Sequence, residues 1–303
     1  MITRNQHNGI TWIDINEPTL DEINEISSEF SLHHGCIEQL GDPSSRSKSE
    51  NFGDHNLLIL HFPDHPSAKS GIGRVELDCV IGKNFLVTVH YGRLDSIDEF
   101  QSMFDSYDLI MKNKSKTIAP IHILHDILRT FYHGMRTEIT MITEELGEIE
   151  ERIFAGNEEA MVERISILRR KFIDIKHATR FHEEVLKNFV RLQTTMGDNL
   201  TLIHDMIINQ YYRMQDALEA DLEIIRELRE TNDSLLTAKN NGVMKRLTLM
   251  AFVTFPLSLV AIILFDPQSP HIFHGPYGFW IVVGILTVLF LIMQIYFTYK
   301  KWI

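Results

Sequence analysis

The chain has 303 residues, 44% of them apolar, and a net charge of −12 from 41 acidic against 29 basic side chains. That apolar share can build a core and excludes a disordered chain, while the acidic balance excludes the basic face that a nucleic-acid partner would need and suits cations instead. Cys36 and Cys79 have no CxxC spacing, which excludes a redox or metal motif of that kind and leaves two ordinary buried thiols.

The N-terminus, Met1 to Asn8, is polar and is no signal peptide, so the residues ahead of the C-terminal apolar runs are expected in the cytoplasm. From Gly9 to about Tyr91 short β-rich runs mix with short helical stretches, and Ile10 to Ile15, Leu57 to Phe62, Val75 to Ile81 and Phe85 to His90 read as strands. Gly82-Lys83-Asn84 between the last two reads as a tight hairpin turn. Pro18, with apolar positions Leu20, Ile23 and Ile26, predicts a surface helix packed on the sheet. The polar stretches Ser44 to Glu50 and Pro63 to Gly73 read as loops.

From Ile121 the texture becomes helical, because no proline occurs between Pro120 and Pro256 and charged residues alternate with Leu, Ile, Phe and Met at helical spacing. Breaks are expected at Ala155-Gly156-Asn157 and Gly197-Asp198-Asn199, with Asp198 or Asn199 capping a final helix that has no strong stop before Pro256. That helix is expected to pass unbroken from cytoplasm into membrane. Its Leu218, Leu222, Ile225, Leu228 and Leu235, interrupted by Asn232, form either a coiled-coil-like seam or a core-facing stripe within one subunit.

Two runs without a charged side chain close the sequence, Leu247 to Phe265 and Tyr277 to Tyr299, each long enough to cross about 30 Å of hydrocarbon as a helix. Lys245 and Arg246 precede the first, Lys300 and Lys301 follow the second, and the loop from Asp266 to Pro276 has no Lys or Arg. By the positive-inside tendency both termini are cytoplasmic and the loop faces outward. The expected fold is therefore a cytoplasmic α/β domain (1–120), a long-helix cytoplasmic stalk (121–246), a first membrane helix (247–265), an outer loop (266–276), a second membrane helix (277–299) and a short cytoplasmic tail (300–303).

Two membrane helices cannot enclose a water-filled path, so a transport role requires several copies around an axis. On the first membrane helix and just ahead of it, Asn241, Met244, Thr248, Ala251, Phe255 and Ser258 lie three or four apart and share a face. Leu249, Phe252, Leu257 and Val260 sit elsewhere, to meet lipid or the second helix. The polar face either lines a pore, with Met244 and Phe255 as an apolar constriction, or packs helices together. Pro256 frees the carbonyl four residues back and predicts a bend; Gln294 is expected to bond a neighbouring helix.

These residues resemble the CorA family of divalent-cation channels and transporters. The resemblance rests on Trp12-Ile13-Asp14-Ile15 with Pro18, Gly82-Lys83-Asn84-Phe85-Leu86-Val87-Thr88-Val89-His90, Val243-Met244-Lys245-Arg246-Leu247-Thr248, Pro256-Leu257-Ser258 and Tyr299-Lys300-Lys301-Trp302, and it extends over nearly the whole chain. It implies a homopentamer with a funnel of cytoplasmic domains and a pore lined by Asn241, Met244, Leu247, Phe255 and Ser258. The family's Gly-Met-Asn signature is absent, since Phe265, Asp266 and Pro267 occupy its positions. Asp266 either replaces that ring with carboxylates at the outer mouth or is a turn residue before Pro267.

His271 and His274 in the outer loop are either a metal site suited to Zn²⁺ or interface residues beside Tyr277 and Trp280. His122, His125 and Asp126 share a helix face, as 15 histidines in one chain allow by chance. Asp216, Glu219, Glu223 and Glu227 either line the funnel and bind regulatory cations or form a solvated face. Gly71-Ile72-Gly73 lacks the third glycine of a nucleotide-binding loop. No nucleophile and base are paired, so the chain is not expected to be an enzyme, and no cofactor is expected beyond divalent cations as transported or regulatory ligands.

The expected activity is passage of divalent metal cations, Mg²⁺ or transition metals such as Zn²⁺, Co²⁺ and Ni²⁺, by a homopentamer in the inner or plasma membrane. The alternative is a non-transporting pentameric membrane scaffold or cation sensor. Expected partners are copies of the chain itself, the lipid bilayer and divalent cations, with no nucleic acid.

Overall fold

The computed structural model describes residues 2–7, 9–63, 74–92, 94–111, 119–194, 201–265 and 277–300. The chain forms two compact units, Met1–Arg229 and Glu230–Ile303.

In the first unit the described strands are β1 (Ile2–His7), β2 (Ile10–Asn16), β3 (Lys48–Asn51), β4 (His55–Pro63), β5 (Arg74–Gly82) and β6 (Phe85–His90), in the sheet order β1-β2-β6-β5-β4-β3. All neighbours are antiparallel except β2 and β6, which run parallel with Ile13 opposite Val87. The sheet is buried on both faces, so β4 and β5 read as continuous apolar runs rather than alternating ones. Gly82 ends β5 and Phe85 opens β6, as the turn residues predicted. Added at Gly82, a Cβ would collide with the ring of Phe85, which stacks on Phe30 at 4.3 Å, so this hairpin requires glycine for space.

β1 and β3 have no counterpart in the sequence reading. β3 corrects the loop expected over Ser44 to Glu50. Its residues, Lys-Ser-Glu-Asn, are polar and only half-buried to exposed because β3 is an edge strand with one neighbour.

One face of the sheet carries α1 (Leu20–Phe30) and α2 (His34–Gly41). Thr19 caps α1 by accepting from the Glu22 N–H, while the Thr19 N–H donates to the Glu22 carboxylate at 2.9 Å. Ile23 and Ile26 are buried with Ile13, Ile15, Leu57, Ile59 and Val87. Leu20, expected on the same packed face, is instead 73% exposed, because it is the first residue of the helix and lies off the face that Ile23 and Ile26 share. Cys36 and Cys79 are free and buried, and burial raises both thiol pKa values, that of Cys36 to about 12.

The other face carries α3 (Asp95–Met111), α4 (Pro120–Phe154), α5 (Glu158–Ala178) and α6 (His182–Thr194). Pro120 opens α4, where its missing N–H costs nothing. The break at Ala155 to Asn157 lies where the sequence placed it, with Gly156 at φ +91°. A second break, between Ala178 and His182, carries no Gly or Pro and was not foreseen. The expected break at Gly197 to Asn199 and its cap lie outside the described residues. Ring contacts tie helices to strands: Phe62 of β4 packs on Phe131 and His182, and Trp12 of β2 on Phe100 and Phe104.

A buried polar network crosses from β2 to β6 among these rings. Trp12 Nε1–H donates to the Thr88 hydroxyl, which donates to Asp14, and the other Asp14 oxygen lies 3.3 Å from His90 Nε2. Burial disfavours the charged form of His90, but the hydrogen bond and charge of Asp14, with the Gly92 carbonyl, outweigh it and raise the pKa above 6.5. Several residues of the quoted sequence motifs thus hold the sheet together.

The long helix α7 (Thr201–Phe265) enters the second unit, which also contains α8 (Gly278–Tyr299). Upstream on α7, Leu218, Ile225 and Leu228 are buried and Leu222 is half-buried. The carboxylate of Asp221 accepts from the Thr143 hydroxyl of α4 at 2.7 Å, so this stripe packs within the chain.

Candidate functional site

The second unit is an apolar surface with few buried side chains. On α7, Leu249 is buried and Val253, Leu257, Val260 and Leu264 are half-buried; on α8, Gly278, Val282 and Phe297 are buried and Leu286, Leu289 and Met293 half-buried. These positions recur every three or four residues, so each helix presents one covered stripe. Most of the other described residues of the two apolar runs are exposed. Only 6% of the apolar window of α7 and 11% of that of α8 is buried, whereas a core helix of a soluble protein would be mostly buried. Both helices are long and apolar enough to span a membrane. Tyr277 and Trp280 are exposed at the start of α8, where amphipathic rings suit an interface.

The face read from the sequence is open in the single chain. Asn241, Met244, Thr248, Ala251, Phe255 and Ser258 are all exposed, Phe255 at 77%, and Leu247 beside them is exposed too. None belongs to the covered stripe of α7, which contains Leu249, Leu257 and Val260 as that reading separated them; Phe252, set apart in that reading, is exposed and, four residues after Thr248 and three before Phe255, adjoins the open face instead. α7 continues through Pro256, whose missing N–H leaves the Phe252 carbonyl without its usual helical donor. Gln294 is exposed on α8.

The remaining candidates divide. Asp266, His271, His274, Gly71 to Gly73, Lys301 and Trp302 lie outside the described residues. Of the α4 group, His125 Nδ1 meets Asp126 at 2.9 Å, but the Nδ1 of His122 accepts from the Ala119 N–H at the helix start. No group of three or more His, Cys, Asp or Glu among the described residues is placed to hold a metal ion. Asp216, Glu219, Glu223 and Glu227 are exposed on α7, with Glu223 paired to Arg226 at 2.7 Å.

An α/β domain followed by long helices and two lipid-compatible C-terminal helices defines a two-span integral membrane protein. The sequence matches the profile of the family described as CorA-like Mg²⁺ transporter protein over residues 7–301, and the chain belongs to that family of divalent-cation transporters, which are not enzymes. It is 22% identical over 298 residues to the cobalt/magnesium transport protein CorA of Methanocaldococcus jannaschii, covering 97% of this chain and 92% of that one. It is 22% identical over 296 residues to the putative metal ion transporter YfjQ of Bacillus subtilis, covering 96% and 89%. The fold is similar to the complete structure of the CorA magnesium transporter from Methanocaldococcus jannaschii, with a TM-score of 0.75 at 20% identity over 99% of this chain and 93% of that one.

Proposed function

We propose that the protein is a homopentameric channel for divalent metal cations in the inner or plasma membrane, with both termini cytoplasmic. The observation that carries this reading is the open face of α7 from Asn241 to Ser258, which avoids the stripe that the chain covers by itself. Two helices per chain cannot enclose water, so the face lines a path only when copies surround an axis. Asn241, Thr248 and Ser258 then offer hydrogen-bonding groups to the waters of a hydrated ion. Rings of Met244, Leu247 and Phe255 supply the apolar constrictions between them, and Ala251 leaves room.

In this arrangement residues 1–120 form the cytoplasmic domain, 121–246 the stalk that widens the funnel, and 247–265 the pore helix. Lys245, Arg246 and Lys300 on one side support the orientation. Phe265, Asp266 and Pro267 stand where the family carries Gly-Met-Asn, so an Asp266 carboxylate ring attracts cations in place of amides, and selectivity extends beyond Mg²⁺ to Zn²⁺, Co²⁺ or Ni²⁺. His271 and His274 add ligands that favour transition metals over Mg²⁺.

The test is metal flux into liposomes holding the purified protein, with Mg²⁺, Zn²⁺, Co²⁺ and Ni²⁺ side by side, against Asp266→Asn. Flux that falls in the variant supports the channel and its outer ring. Flux unchanged in the variant removes the Asp266 ring; no flux of any ion from a verified pentamer under a membrane potential replaces the channel by a scaffold or sensor.

A further inference from the structure

Away from the membrane helices, a cleft of about 610 Å³ lies between the edge strand β3 and α6, within the size range of small-ligand sites. Its walls are rich in donors. Arg46 and Lys48 approach from the β3 side, Lys187 and Arg191 from α6, with the Asn188 amide and the Ser49 hydroxyl at the floor. The floor is built: Asn188 Nδ2 donates to Ser49 Oγ at 2.8 Å, Ser49 Oγ–H donates to the Val185 carbonyl, and Arg191 donates to Asn188 Oδ1 at 2.9 Å. The lining sets four cations against the carboxylate of Glu184, and Lys48 and Lys187 also touch Glu50 and Glu183.

The geometry points to a binding site for a soluble organic phosphate of the size of a nucleoside diphosphate. In a chain of net charge −12, a concave surface with an excess of cations stands apart from its surroundings and draws an anion by its local potential. Two guanidiniums match phosphate oxygens by paired N–H donors, and two ammonium groups add charge without fixed geometry. Phe181, 37% exposed at the rim, and Val185 give the non-phosphate part of the ligand an apolar wall. The site lies in the α/β unit and involves none of the residues assigned to the pore, so it holds or fails independently of the channel reading.

The test is equilibrium binding of ADP, without metal, to the full-length protein in neutral-lipid nanodiscs. Inorganic pyrophosphate and vesicles containing anionic lipid are the other probes. Arg46→Glu and Arg191→Gln are the variants, since Arg46 is exposed ahead of β3 and its replacement leaves the floor intact; a thermal melt confirms folding. Saturable ADP or pyrophosphate binding that weakens about tenfold or more in the variants, and with added salt, supports the site. Binding confined to anionic vesicles, binding as tight in both variants as in the unsubstituted protein, or no saturable binding at millimolar ADP overturns it.

Discussion

The hydroxyl of Tyr132 stands 2.8 Å from Nδ1 of His182. The opposite nitrogen, Nε2, lies 2.8 Å from the backbone carbonyl of His61, which can only accept, so Nε2 carries the proton and Tyr132 donates to Nδ1. The three residues come from α4, α6 and β4, so one fully buried imidazole closes a junction between two helices and the sheet. Burial lowers the His182 pKa from 6.5 to about 3, keeping the ring neutral as this pattern requires.

Tyr132→Phe leaves Nδ1 as a buried acceptor with no donor and is expected to destabilise the α/β unit by about 1–3 kcal/mol. The unfolded chain protonates His182 below 6.5 whereas the folded chain does not until about 3. Stability supplied by this residue is therefore complete above 6.5 and declines as pH falls, by at most about 1.4 kcal/mol per unit. His182→Gln should flatten that acid limb. Thermal midpoints between pH 5 and 7 of the detergent-solubilised protein check both, and an unaltered limb in His182→Gln would reject the assignment.

A second buried pair has the opposite sign. Glu76 and Asp78 lie two apart on β5 and point to the same face; burial first, then the charge of Glu76, holds the Asp78 pKa well above 3.8. Glu76 in turn accepts from the Ser44 N–H at 2.9 Å and lies 3.3 Å from His61 Nε2, while Tyr91 donates to Asp78. The folded chain thus keeps a proton that the unfolded chain releases, and stability is lost as pH rises from 3.8 through the folded value. Asp78→Asn is expected to raise the thermal midpoint at pH 8 and to lose that advantage towards pH 4. A midpoint lowered equally at both pH values would contradict a protonated Asp78.

Gly82→Ala tests the β5–β6 turn. The added methyl meets the Phe85 ring, which cannot retreat because it stacks on Phe30. The expected cost is about 1–3 kcal/mol, as for overpacking elsewhere, read as a lowered melting temperature. Gly82→Ala combined with Phe85→Leu should recover part of it; no recovery would place the cost in the backbone instead.

For the pore, Phe255 and Met250 are a matched comparison, both exposed on α7 but five residues, and so about 140° of helix turn, apart. Phe255→Ala should change metal flux several-fold by removing an apolar ring, whereas Met250→Ala should leave it near the unsubstituted rate. Equal responses would show that the Asn241 to Ser258 face is not the permeation path.

The sequence by itself determined the parts whose residues carry their own signal. Two uncharged apolar runs marked the membrane helices, and β2, β4, β5 and β6 were visible because a sheet covered on both faces needs unbroken apolar strands. The motifs that carry the family resemblance are spread over nearly the whole length. Only the tertiary structure decided the rest. β1 and β3 are the two edges of the sheet, and an edge strand is held by backbone pairing to one neighbour, so Ile-Thr-Arg-Asn-Gln-His and Lys-Ser-Glu-Asn show no apolar pattern. His182 is one of 15 histidines, and nothing local marks it as the buried one; its partners come from residues 50 and 121 positions away. The basic cleft joins Arg46 to Arg191 for the same reason: periodicity reports which way a side chain faces along its own element, and only folding brings distant elements together.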